Sequence, residues 1–468
     1  MKLFFYNTLT RKIEEFRVKT SKIAKLYTCG PTVYHYAHIG NLRTYIFEDL
    51  LRRTLQVFGY KVIHVMNITD VGHLESDEDS GDDKIILSAL REKKTPLDIA
   101  RYYENFFLKD CNSLNLLKPT IICRASEHIE EIQYMIHQLI DKNYAYIIDG
   151  NVYFDVARFN NYSQLSRAKL HDLSSNSRVD FDHRKKNQKD FVLWFSNSKF
   201  QNQIMRWDSP WGRGFPGWHI ECSAMATKYL GEYIDIHCGG VDHIPVHHTN
   251  EIAQSDACFN HQCVNFWMHG EFLILDKNKM SKSKNNFLTL TNLKEYGFDP
   301  AHYRYLCLGT HYRSQMLFNF ESLKMAKSTL ESLKNRIIDW KSELKNKNAD
   351  KSIAGKKKEY LNRFYAALSY DLNIPTILSV LWEFVKDGEI SVNDKLSLIN
   401  EFDLILGLGL TEHIKPELSE YLIQLIKKRE ELRKQKKWNC SDKIRQEIEN
   451  SGVMLKDTEN GTDWYLKY

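Results

Sequence analysis

Two short segments of this chain carry residue types that can handle phosphate. The first runs from His38 to Asn41 and lies between an apolar stretch and a helical repeat of apolar residues from Leu42 to Leu55, so we predict strand, turn and helix. Gly40 lets the backbone approach a ligand closely, and the helix N-terminus offers free N–H groups and a positive dipole end to a triphosphate. His38 would then donate to phosphate oxygens, although an ordinary turn capped by Asn41 explains the same residues.

The second segment is a lysine-rich loop from Asp276 to Asn286, placed directly after the apolar residues that end at Leu275. Lys279 and Lys282 are close in sequence, so their ammonium groups can reach different oxygens of a triphosphate. They would hold the negative charge that develops on departing pyrophosphate. Most lysine runs are solvated loops, but the order Lys-Met-Ser-Lys-Ser favours the phosphate role.

The order of these segments and their separation of roughly 240 residues predict one nucleotide site assembled from two halves of a fold. The pair resembles the signature of class I aminoacyl-tRNA synthetases. One departure concerns the end of the first segment, where Asn41 stands in place of the second histidine of the wider class pattern. Its amide can still donate a hydrogen bond to phosphate or ribose. The catalytic residues that the resemblance implies are His38, Asn41, Lys279 and Lys282.

The elements around these segments predict an α/β fold. An apolar run from Val62 to Met66 follows the first helix, and this order is typical of a doubly wound, Rossmann-like parallel sheet. The ligand crevice of such a sheet lies at the carboxyl ends of its strands, and both segments come directly after strands. From about Thr120 to Met205 the pattern changes to short strands, turns and charges, so we expect an α+β insertion that divides the sheet. Beyond about Ser322 the repeat is helical and predicts a bundle.

These patterns divide the chain into consecutive parts. They are the first half of a Rossmann-like catalytic domain (1–119), a connective insertion (120–205), the second half of the catalytic domain (206–270), the lysine loop with a stem-contact region (271–321), an α-helical bundle (322–415) and a small C-terminal RNA-binding domain for the anticodon (416–468). A polar, lysine-rich stretch from Lys341 to Lys358 is predicted to be an exposed linker.

Composition limits the class of protein. Of 468 residues, 43% are hydrophobic, which supports several buried cores, and 65 basic residues against 60 acidic ones leave the chain only mildly positive. Any surface for nucleic acid must therefore be regional. The first residues turn polar at once, no apolar run approaches the length of a membrane span, and nine cysteines are scattered without disulfide-type spacing. We predict a cytoplasmic protein with no membrane partner.

Several residues with metal-binding side chains are spread over the two halves of the predicted sheet. Cys29 lies shortly before the first segment, Cys222 lies in the second half, and His247 and Glu251 are spaced to share one face of a helix. Two thiolates, one imidazole and one carboxylate form an acceptable tetrahedral zinc set. Other histidines are rival ligands: His38, His219, His243 and His248. Single cysteines are also common small hydrophobes, so spacing alone leaves both interpretations open.

Co-linear motifs throughout the chain link these residues to one family. The motifs occupy residues 29–34, 67–71, 190–194, 216–225, 239–242, 311–315, 371–375 and 461–464. Together they resemble the cysteinyl-tRNA synthetases over essentially the whole length. The resemblance implies that Cys29, Cys222, His247 and Glu251 bind one zinc ion, which takes the thiolate of the substrate cysteine as a further ligand. For binding of cysteine it implies Gly30, Thr69 and Trp218. For binding of ATP it implies His38, Gly40, Asn41, Gly240, Asp242, Lys279 and Lys282. Asp70 and Glu221 are alternative groups that would orient ligands.

The implied reaction has two steps. The carboxylate of L-cysteine attacks the α-phosphate of ATP, with Mg²⁺, to give cysteinyl adenylate and pyrophosphate, and a ribose hydroxyl of the terminal adenosine of tRNA(Cys) then attacks the acyl carbonyl. Zinc prefers a soft thiolate to a hydroxyl, so it would separate cysteine from serine. An insertion of under about 90 residues without hydrolytic residues is then consistent with no editing site. We expect a monomer.

The C-terminal region is expected to contact RNA. A basic helical segment from Lys427 ends at Trp438, and Trp464 with Tyr465 adds stacking surface near the terminus. Two other functions stay open: an adenylate-forming cysteine ligase that acts on a small amino-sugar acceptor, and a non-catalytic relative that binds tRNA or zinc. The basic, aromatic C-terminus argues against the first, and the intact phosphate residues argue against the second.

Overall fold

The structure of the chain is a computed structural model. It describes residues 1–19, 22–71, 84–167, 183–197, 205–275, 287–346, 353, 355–410, 418–458 and 461–466. The chain divides into two units, of which the first comprises Met1–Phe318 with Phe364–Leu378 and the second comprises Asn319–Arg363 with Ser379–Tyr468. The predicted phosphate residues Lys279 and Lys282 lie outside the described residues.

A five-stranded parallel sheet lies at the centre of the first unit. Its strands, in spatial order, are β11 (Val264–Gly270), β10 (Ile234–Gly240), β3 (Ile23–Thr28), β4 (Lys61–Ile68) and β5 (Ile121–Arg124). The central strands bury side chains on both faces, as expected when helices cover both sides of a parallel sheet. The predicted doubly wound α/β fold is therefore confirmed.

The direction of winding changes between β3 and β10. From β3 the chain continues through α1 (Ile39–Val57) to β4 on one side, and from β10 it continues through α6 (His247–Phe259) to β11 on the other side. In an open α/β sheet the ligand crevice lies at such a switch point, outside the carboxyl ends of the strands. The helix before β10, α5 (Trp218–Leu230), begins at this same edge.

The described residues of the connection between β4 and β5 include two helices. They are α2 (Lys84–Glu92) and α3 (Pro96–Ser113). Helix α3 starts where it does because Thr95 caps it, accepting a hydrogen bond from the Asp98 N–H, and because proline is well suited to the first helical position. The helix buries Ile99, Tyr103 and Phe107 against the rest of the first unit.

The insertion forms a separate antiparallel sheet. Helix α4 (Ile129–Asp141) precedes strands β6 (Ala145–Ile148), β7 (Asn151–Phe154), β8 (Phe191–Phe195) and β9 (Phe215–Pro216), which pair in that order. Its limits differ from the expected 120 and 205. Residues 121–124 form the edge strand β5 of the central sheet, and β9 reaches Pro216 within the insertion sheet. Such short strands carry a weak sequence signal.

Short strands flank the central sheet. The parallel pair β12 (Leu273–Leu275) and β13 (Met316–Phe318) encloses α7 (Leu290–Glu295) and α8 (Pro300–Leu308) in the sequence. The N-terminal hairpin consists of β1 (Phe4–Asn7) and β2 (Lys12–Glu15). Strand β12 ends at Leu275, directly before the lysine loop.

Helices dominate the chain from Phe320 onward, as predicted. They are α9 (Phe320–Asn346), α10 (Lys356–Ser369), α11 (Ile374–Lys386), α12 (Val392–Leu406), α13 (Glu420–Lys434) and α14 (Trp438–Asn450), followed by the antiparallel pair β14 (Val453–Thr458) and β15 (Gly461–Leu466). The linker predicted from Lys341 begins later, because α9 continues to Asn346. The basic segment before Trp438 is interrupted, because Lys436 adopts a left-handed conformation between α13 and α14. Within the described part of the chain, no helix is long and apolar enough to cross a membrane.

Candidate active site

An open cavity of about 270 Å³ lies at the switch point of the central sheet. The segments after β3 and β10 and the first turns of α1 and α5 form its wall. Most residues singled out from the sequence line it: Cys29, Gly30, His38, Asn41, Thr69, Trp218, Cys222, Gly240, Asp242 and His247. Glu251 is buried one helical turn after His247, and Gly40 lies in the first turn of α1.

The first segment forms the N-terminus of α1, as predicted. The Asn41 N–H donates to His38 Nδ1 at 3.1 Å, and the His38 N–H donates to Asn41 Oδ1 at 3.2 Å, which is a capping box. A side chain at Gly40 would place its Cβ 2.9 Å from the His38 ring, so glycine keeps this ring in place. Burial lowers the pKa of His38. Because Nδ1 accepts a hydrogen bond, the neutral ring carries its proton on Nε2 and can donate it to a phosphate oxygen.

Both flanks of the lysine loop lie against the first segment. On the far side of the loop, the Ile39 N–H donates to Leu288 O at 2.8 Å, and the Phe287 ring lies 4.9 Å from the His38 ring. On the near side, strand β12 leads from Leu273 beside α1 into the loop. The two segments predicted to form one nucleotide site therefore converge, as far as the described residues reach.

Arg43 ties α1 to the strand pair that carries the loop. Its guanidinium group is buried and donates to backbone carbonyl oxygens at 2.5–3.2 Å: those of Glu271, Phe272, His311 and Ser314. The first two precede β12 and the last two precede β13. Sequence reasoning missed this residue, because its partners are backbone atoms and leave no pattern. Arg43 holds the start of α1 and the approach to the lysine loop in one arrangement.

A buried group of thiol, imidazole and carboxyl side chains forms the floor of the cavity. One ligand atom from each of Cys29, Cys222, His247 and Glu251 lies within 4.8 Å of every other. Cys29 follows β3, Cys222 lies in α5, and the other two share one face of α6, with His247 Nε2 2.9 Å from Glu251 Oε1. The structure thus brings together the four side chains proposed from the sequence.

A second group of the same kind shares two of these residues. It combines Cys29 and Glu251 with His237 and His248, and Cys29 Sγ lies 3.5 Å from His237 Nε2 and 3.3 Å from His248 Nε2. His237 was missed by sequence reasoning because it lies inside the apolar strand β10, where a polar residue at alternate positions is the only signal. Cys222 and His247 line the cavity, whereas His237 and His248 are not among its lining residues. A ligand in the cavity therefore reaches the first group.

Burial favours the neutral forms of Cys29, His247 and Glu251. It raises the pKa of the Cys29 thiol, raises the pKa of Glu251 to about 7 and lowers the pKa of His247. A divalent cation reverses this preference for the thiols and the carboxyl group, because it stabilises their anions at close range. Zinc bonds of about 2.3 Å to sulfur and 2.0 Å to nitrogen place neighbouring ligand atoms roughly 3.5 Å apart. The donor set and its spacing therefore fit zinc.

The other rival histidines take supporting positions. His219 Nδ1 lies 2.9 Å from His247 Nδ1, on the side of the ring away from Glu251. His248 Nδ1 lies 2.8 Å from His269 Nε2, so a chain of buried rings continues behind the second group. Such contacts fix the orientation and the tautomer of a ligand imidazole. His38 and His243 line the cavity but belong to neither group of described residues.

Asn67 organises the part of the cavity predicted to hold the amino acid. Its Oδ1 accepts from the Gly30 N–H at 2.9 Å, and its amide nitrogen donates to the Thr69 hydroxyl at 3.2 Å. A Cβ atom at Gly30 would lie 1.7 Å from Asn67 O, so only glycine fits there. Asn67 begins the motif at residues 67–71, and the motif alone indicates no role for it. The structure shows that it joins the two predicted substrate-binding residues.

Trp218 and Asp242 lie on the opposite wall. The Trp218 ring stands 4.2 Å from the His247 ring and closes one side of the cavity. Asp242 follows the end of β10 and has an exposed carboxylate, which suits a contact with ribose hydroxyls. Asp70 points elsewhere: it accepts hydrogen bonds from the Ser126 N–H and hydroxyl and holds the turn after β5. Glu221 is fully buried beside Cys222 in α5.

Sequence comparisons place this site within a known family. The family model described as "tRNA synthetases class I (C) catalytic domain" matches residues 15–328. The cysteine--tRNA ligase of Treponema denticola is 44% identical, and the match covers 99% of this chain and 99% of that protein. Cysteine--tRNA ligase 1 of Burkholderia lata is 45% identical, and the match covers 98% of this chain and 96% of that protein.

Solved structures share the fold at much lower sequence identity. Methionyl-tRNA synthetase of Mycobacterium tuberculosis in complex with methionyl-adenylate superposes with a TM-score of 0.57 at 13% identity and covers 83% of this chain and 89% of its own. The ternary complex of Agrobacterium radiobacter K84 LeuRS-tRNA-LeuAMS gives a TM-score of 0.58 at 11% identity, with 86% of each chain covered. Identity this low shows the fold alone.

Proposed function

Because the chain belongs to the cysteine--tRNA ligase family, we propose that it activates L-cysteine with ATP and transfers it to the 3′ end of tRNA(Cys). One observation carries this proposal. A single cavity combines His38 at a helix N-terminus with the buried group of Cys29, Cys222, His247 and Glu251. The first feature suits the phosphates of a nucleotide, and the second suits a thiol substrate.

In the activation step, the cysteine carboxylate attacks the α-phosphate of ATP in line with the departing pyrophosphate. His38 donates a hydrogen bond from its Nε2–H to a phosphate oxygen, and the free N–H groups of α1 add positive potential. Lys279 and Lys282 hold the charge that builds up on pyrophosphate, together with Mg²⁺. Gly240 and Asp242 receive the adenosine. No protein nucleophile takes part, so positioning and charge stabilisation account for the rate.

Selection of cysteine rests on the buried group. Cys29, Cys222, His247 and Glu251 hold a zinc ion that, when bound, supplies a soft Lewis acid with a preference for thiolate over hydroxyl. Trp218 limits the size of the side chain that enters beside these residues. Gly30 and Thr69, fixed by their shared contacts with Asn67, hold the amino and carboxyl groups of the substrate. Serine differs from cysteine by one atom, and shape alone separates such pairs poorly.

In the transfer step, a ribose hydroxyl of the terminal adenosine attacks the acyl carbonyl of cysteinyl adenylate, and AMP leaves. A ligase that acts on an amino-sugar acceptor would share the activation step and differ in the transfer step. The full-length match to curated cysteine--tRNA ligases, which includes the C-terminal residues, favours the tRNA substrate. We propose that residues 416–468 bind the anticodon region, and that the exposed Trp438 with Arg433, 5.5 Å from its ring, offers a stacking surface there.

Pyrophosphate exchange and metal analysis test this proposal. We expect wild-type protein to carry about one zinc per chain and to exchange pyrophosphate with cysteine far better than with serine. Cys222→Ser should lose zinc and cysteine activation together. Cys258→Ser is the matched control, because this buried cysteine of α6 contacts Gln138 in another part of the core. Full cysteine affinity in Cys222→Ser would remove the basis for zinc selection.

Charging of a tRNA(Cys) transcript then separates the two acceptors. Exchange without charging would point to a small-molecule acceptor, and no exchange at all would point to a non-catalytic relative. A monomeric state and a cytoplasmic location stay predictions from the sequence.

A further inference from the structure

Three half-buried aromatic side chains pack together next to the lining of the cavity. We call Tyr36, Tyr102 and Phe106 the aromatic shelf. The Phe106 ring centroid lies 5.0 Å from that of Tyr36 and 4.9 Å from that of Tyr102, and the two tyrosine hydroxyls lie 3.0 Å apart. These contacts hold the rings in fixed orientations, which lowers the entropy cost of binding a flat ligand.

The aromatic shelf is continuous with the active site. Tyr36 lines the cavity itself, two residues before His38. On α3, Tyr103 and Phe107 line the cavity, whereas their neighbours Tyr102 and Phe106 face along the adjoining surface. One helix therefore contributes both to the cavity wall and to the aromatic shelf.

Positive charge accompanies these rings. Lys94 Nζ lies 4.2 Å from the Tyr102 ring centroid, and Lys109 Nζ lies 5.3 Å from that of Phe106. Lys94 also approaches Glu92 at 3.5 Å. The carboxylate of α3 nearest in sequence to the two rings, Glu104, is buried and paired with Arg124, so it does not offset this charge.

This combination suits single-stranded nucleic acid. Splayed bases stack on aromatic faces for about 1–3 kcal/mol per base, and lysines next to them neutralise the phosphates. Lysine side chains are long and flexible, so their ammonium groups can leave a ring for a nearby phosphate. An apolar protein partner would gain little from cations placed over the rings. The charge and the half-buried aromatic rings together favour RNA.

We propose that the aromatic shelf, with Lys94 and Lys109, binds the unpaired nucleotides that precede the terminal adenosine of the tRNA. The proposal rests on the proposed function, in which the terminal adenosine enters the cavity. The nucleotides before it must then lie just outside the cavity, and the aromatic shelf adjoins its lining through Tyr36. Stacking there would position the 3′ end next to the adenylate, independently of any contact with the anticodon.

The test compares two RNAs and two proteins. The Tyr102→Leu/Phe106→Leu variant keeps apolar volume but removes the π faces, and Tyr134→Leu is the control, because Tyr134 is an exposed aromatic residue of α4. Dissociation constants are measured for a tRNA(Cys) transcript and for the same transcript without its unpaired 3′ nucleotides. We expect the variant to bind the intact transcript roughly tenfold more weakly than wild type. We expect the two proteins to bind the shortened transcript alike.

Other outcomes overturn the proposal. If the variant binds both transcripts equally more weakly, the rings act through folding or through the tRNA body. If it binds neither more weakly, the rings do not contact RNA. Cysteine-dependent pyrophosphate exchange, measured without RNA, reports separately on the proposed function. If wild-type protein exchanges pyrophosphate, but the variant and wild type bind the intact transcript alike, the role of the aromatic shelf is refuted and the proposed function is not.

Discussion

Replacing Arg43 with methionine should separate the two halves of the nucleotide site. Arg43 is 5% exposed, and its guanidinium group donates to four backbone carbonyl oxygens around β12 and β13. Methionine fills a similar volume but leaves these carbonyls without the donor. These hydrogen bonds are partly buried and contribute about 1 kcal/mol each, so the loss should be about 4 kcal/mol at most. That is a large part of the typical stability of about 5–15 kcal/mol.

A milder substitution of Arg43 separates the kinetic effect from the effect on stability. Arg43→Lys keeps the charge but cannot span both strand approaches, so we expect it to fold while the lysine loop shifts relative to His38. A shift of about 1 Å in groups that stabilise a transition state can cost about a hundredfold in rate. We expect kcat of pyrophosphate exchange to fall at least tenfold in Arg43→Lys. KM for the substrate cysteine should stay unchanged, because Cys29 and Cys222 of the cavity do not contact Arg43.

Denaturant unfolding and pyrophosphate exchange measure the two effects. Arg52→Met is the matched control: Arg52 also lies in α1, and its guanidinium donates to the carbonyl oxygens of Leu117 and Lys118, away from the lysine loop. It should lower stability without the selective loss of kcat. Equal kcat in wild type and Arg43→Lys, or the same kinetic loss in Arg52→Met, would refute the role of Arg43.

Further predictions concern other contacts. Hydrogen bonds from Arg429 lower the pKa of Asp457 from its ordinary 3.8 to about 2. This carboxylate therefore stabilises the folded state above about pH 4 and loses that effect as pH falls toward 2. Acid unfolding of the C-terminal helices should lose part of its pH dependence in Asp457→Asn. Gly30→Ala should destabilise the protein and weaken cysteine activation, because its Cβ would lie 1.7 Å from Asn67 O, whereas Gly388→Ala, with open space around it, should do neither in thermal unfolding. A zinc chelator should abolish cysteine-dependent exchange and increase the number of titratable thiols, and added zinc but not magnesium should reverse both changes; activity that survives complete removal of zinc would contradict the proposed selection of cysteine.

Local patterns predict the surroundings of His38 because each signal lies within a few residues. An apolar strand, a glycine turn and a helical repeat follow each other from Ile23 to Val57, and the structure has strand, turn and helix in these places. The grouping of Cys29 with Cys222 and with α6 depends on strand order, which spacing alone does not fix. There the family resemblance supplied what the pattern could not, and the sheet order explains it: β3 and β10 are neighbours.

The contacts that sequence reasoning missed depend on the placement of whole elements. His237 belongs to an apolar strand, and only the position of β10 beside β3 brings its ring to Cys29. The insertion limits fail for a similar reason, because a four-residue strand such as β5 is defined by pairing with β4 rather than by its own sequence. The beginning of the polar stretch Lys341–Lys358 shows the opposite case, because α9 continues past the buried Trp340 as far as Asn346.

The asparagine at position 41 is a smaller departure than its residue type indicates. In the capping box of α1 it accepts from the His38 N–H, and the same position is taken by Asn292 in α7 and by His302 in α8. In α8 the Asp299 N–H donates to His302 Nδ1 at 2.9 Å, so a histidine can do the same work. We therefore expect Asn41→His to keep the cap and most of the exchange activity. Asn41→Ala should lose about 1 kcal/mol or less of stability and loosen the His38 backbone, whose N–H loses its acceptor, although the backbone N–H of residue 41 still donates to the ring; kcat should therefore fall while KM for cysteine stays the same. Equal kcat in wild type and Asn41→Ala would show that the helix holds His38 without this hydrogen bond.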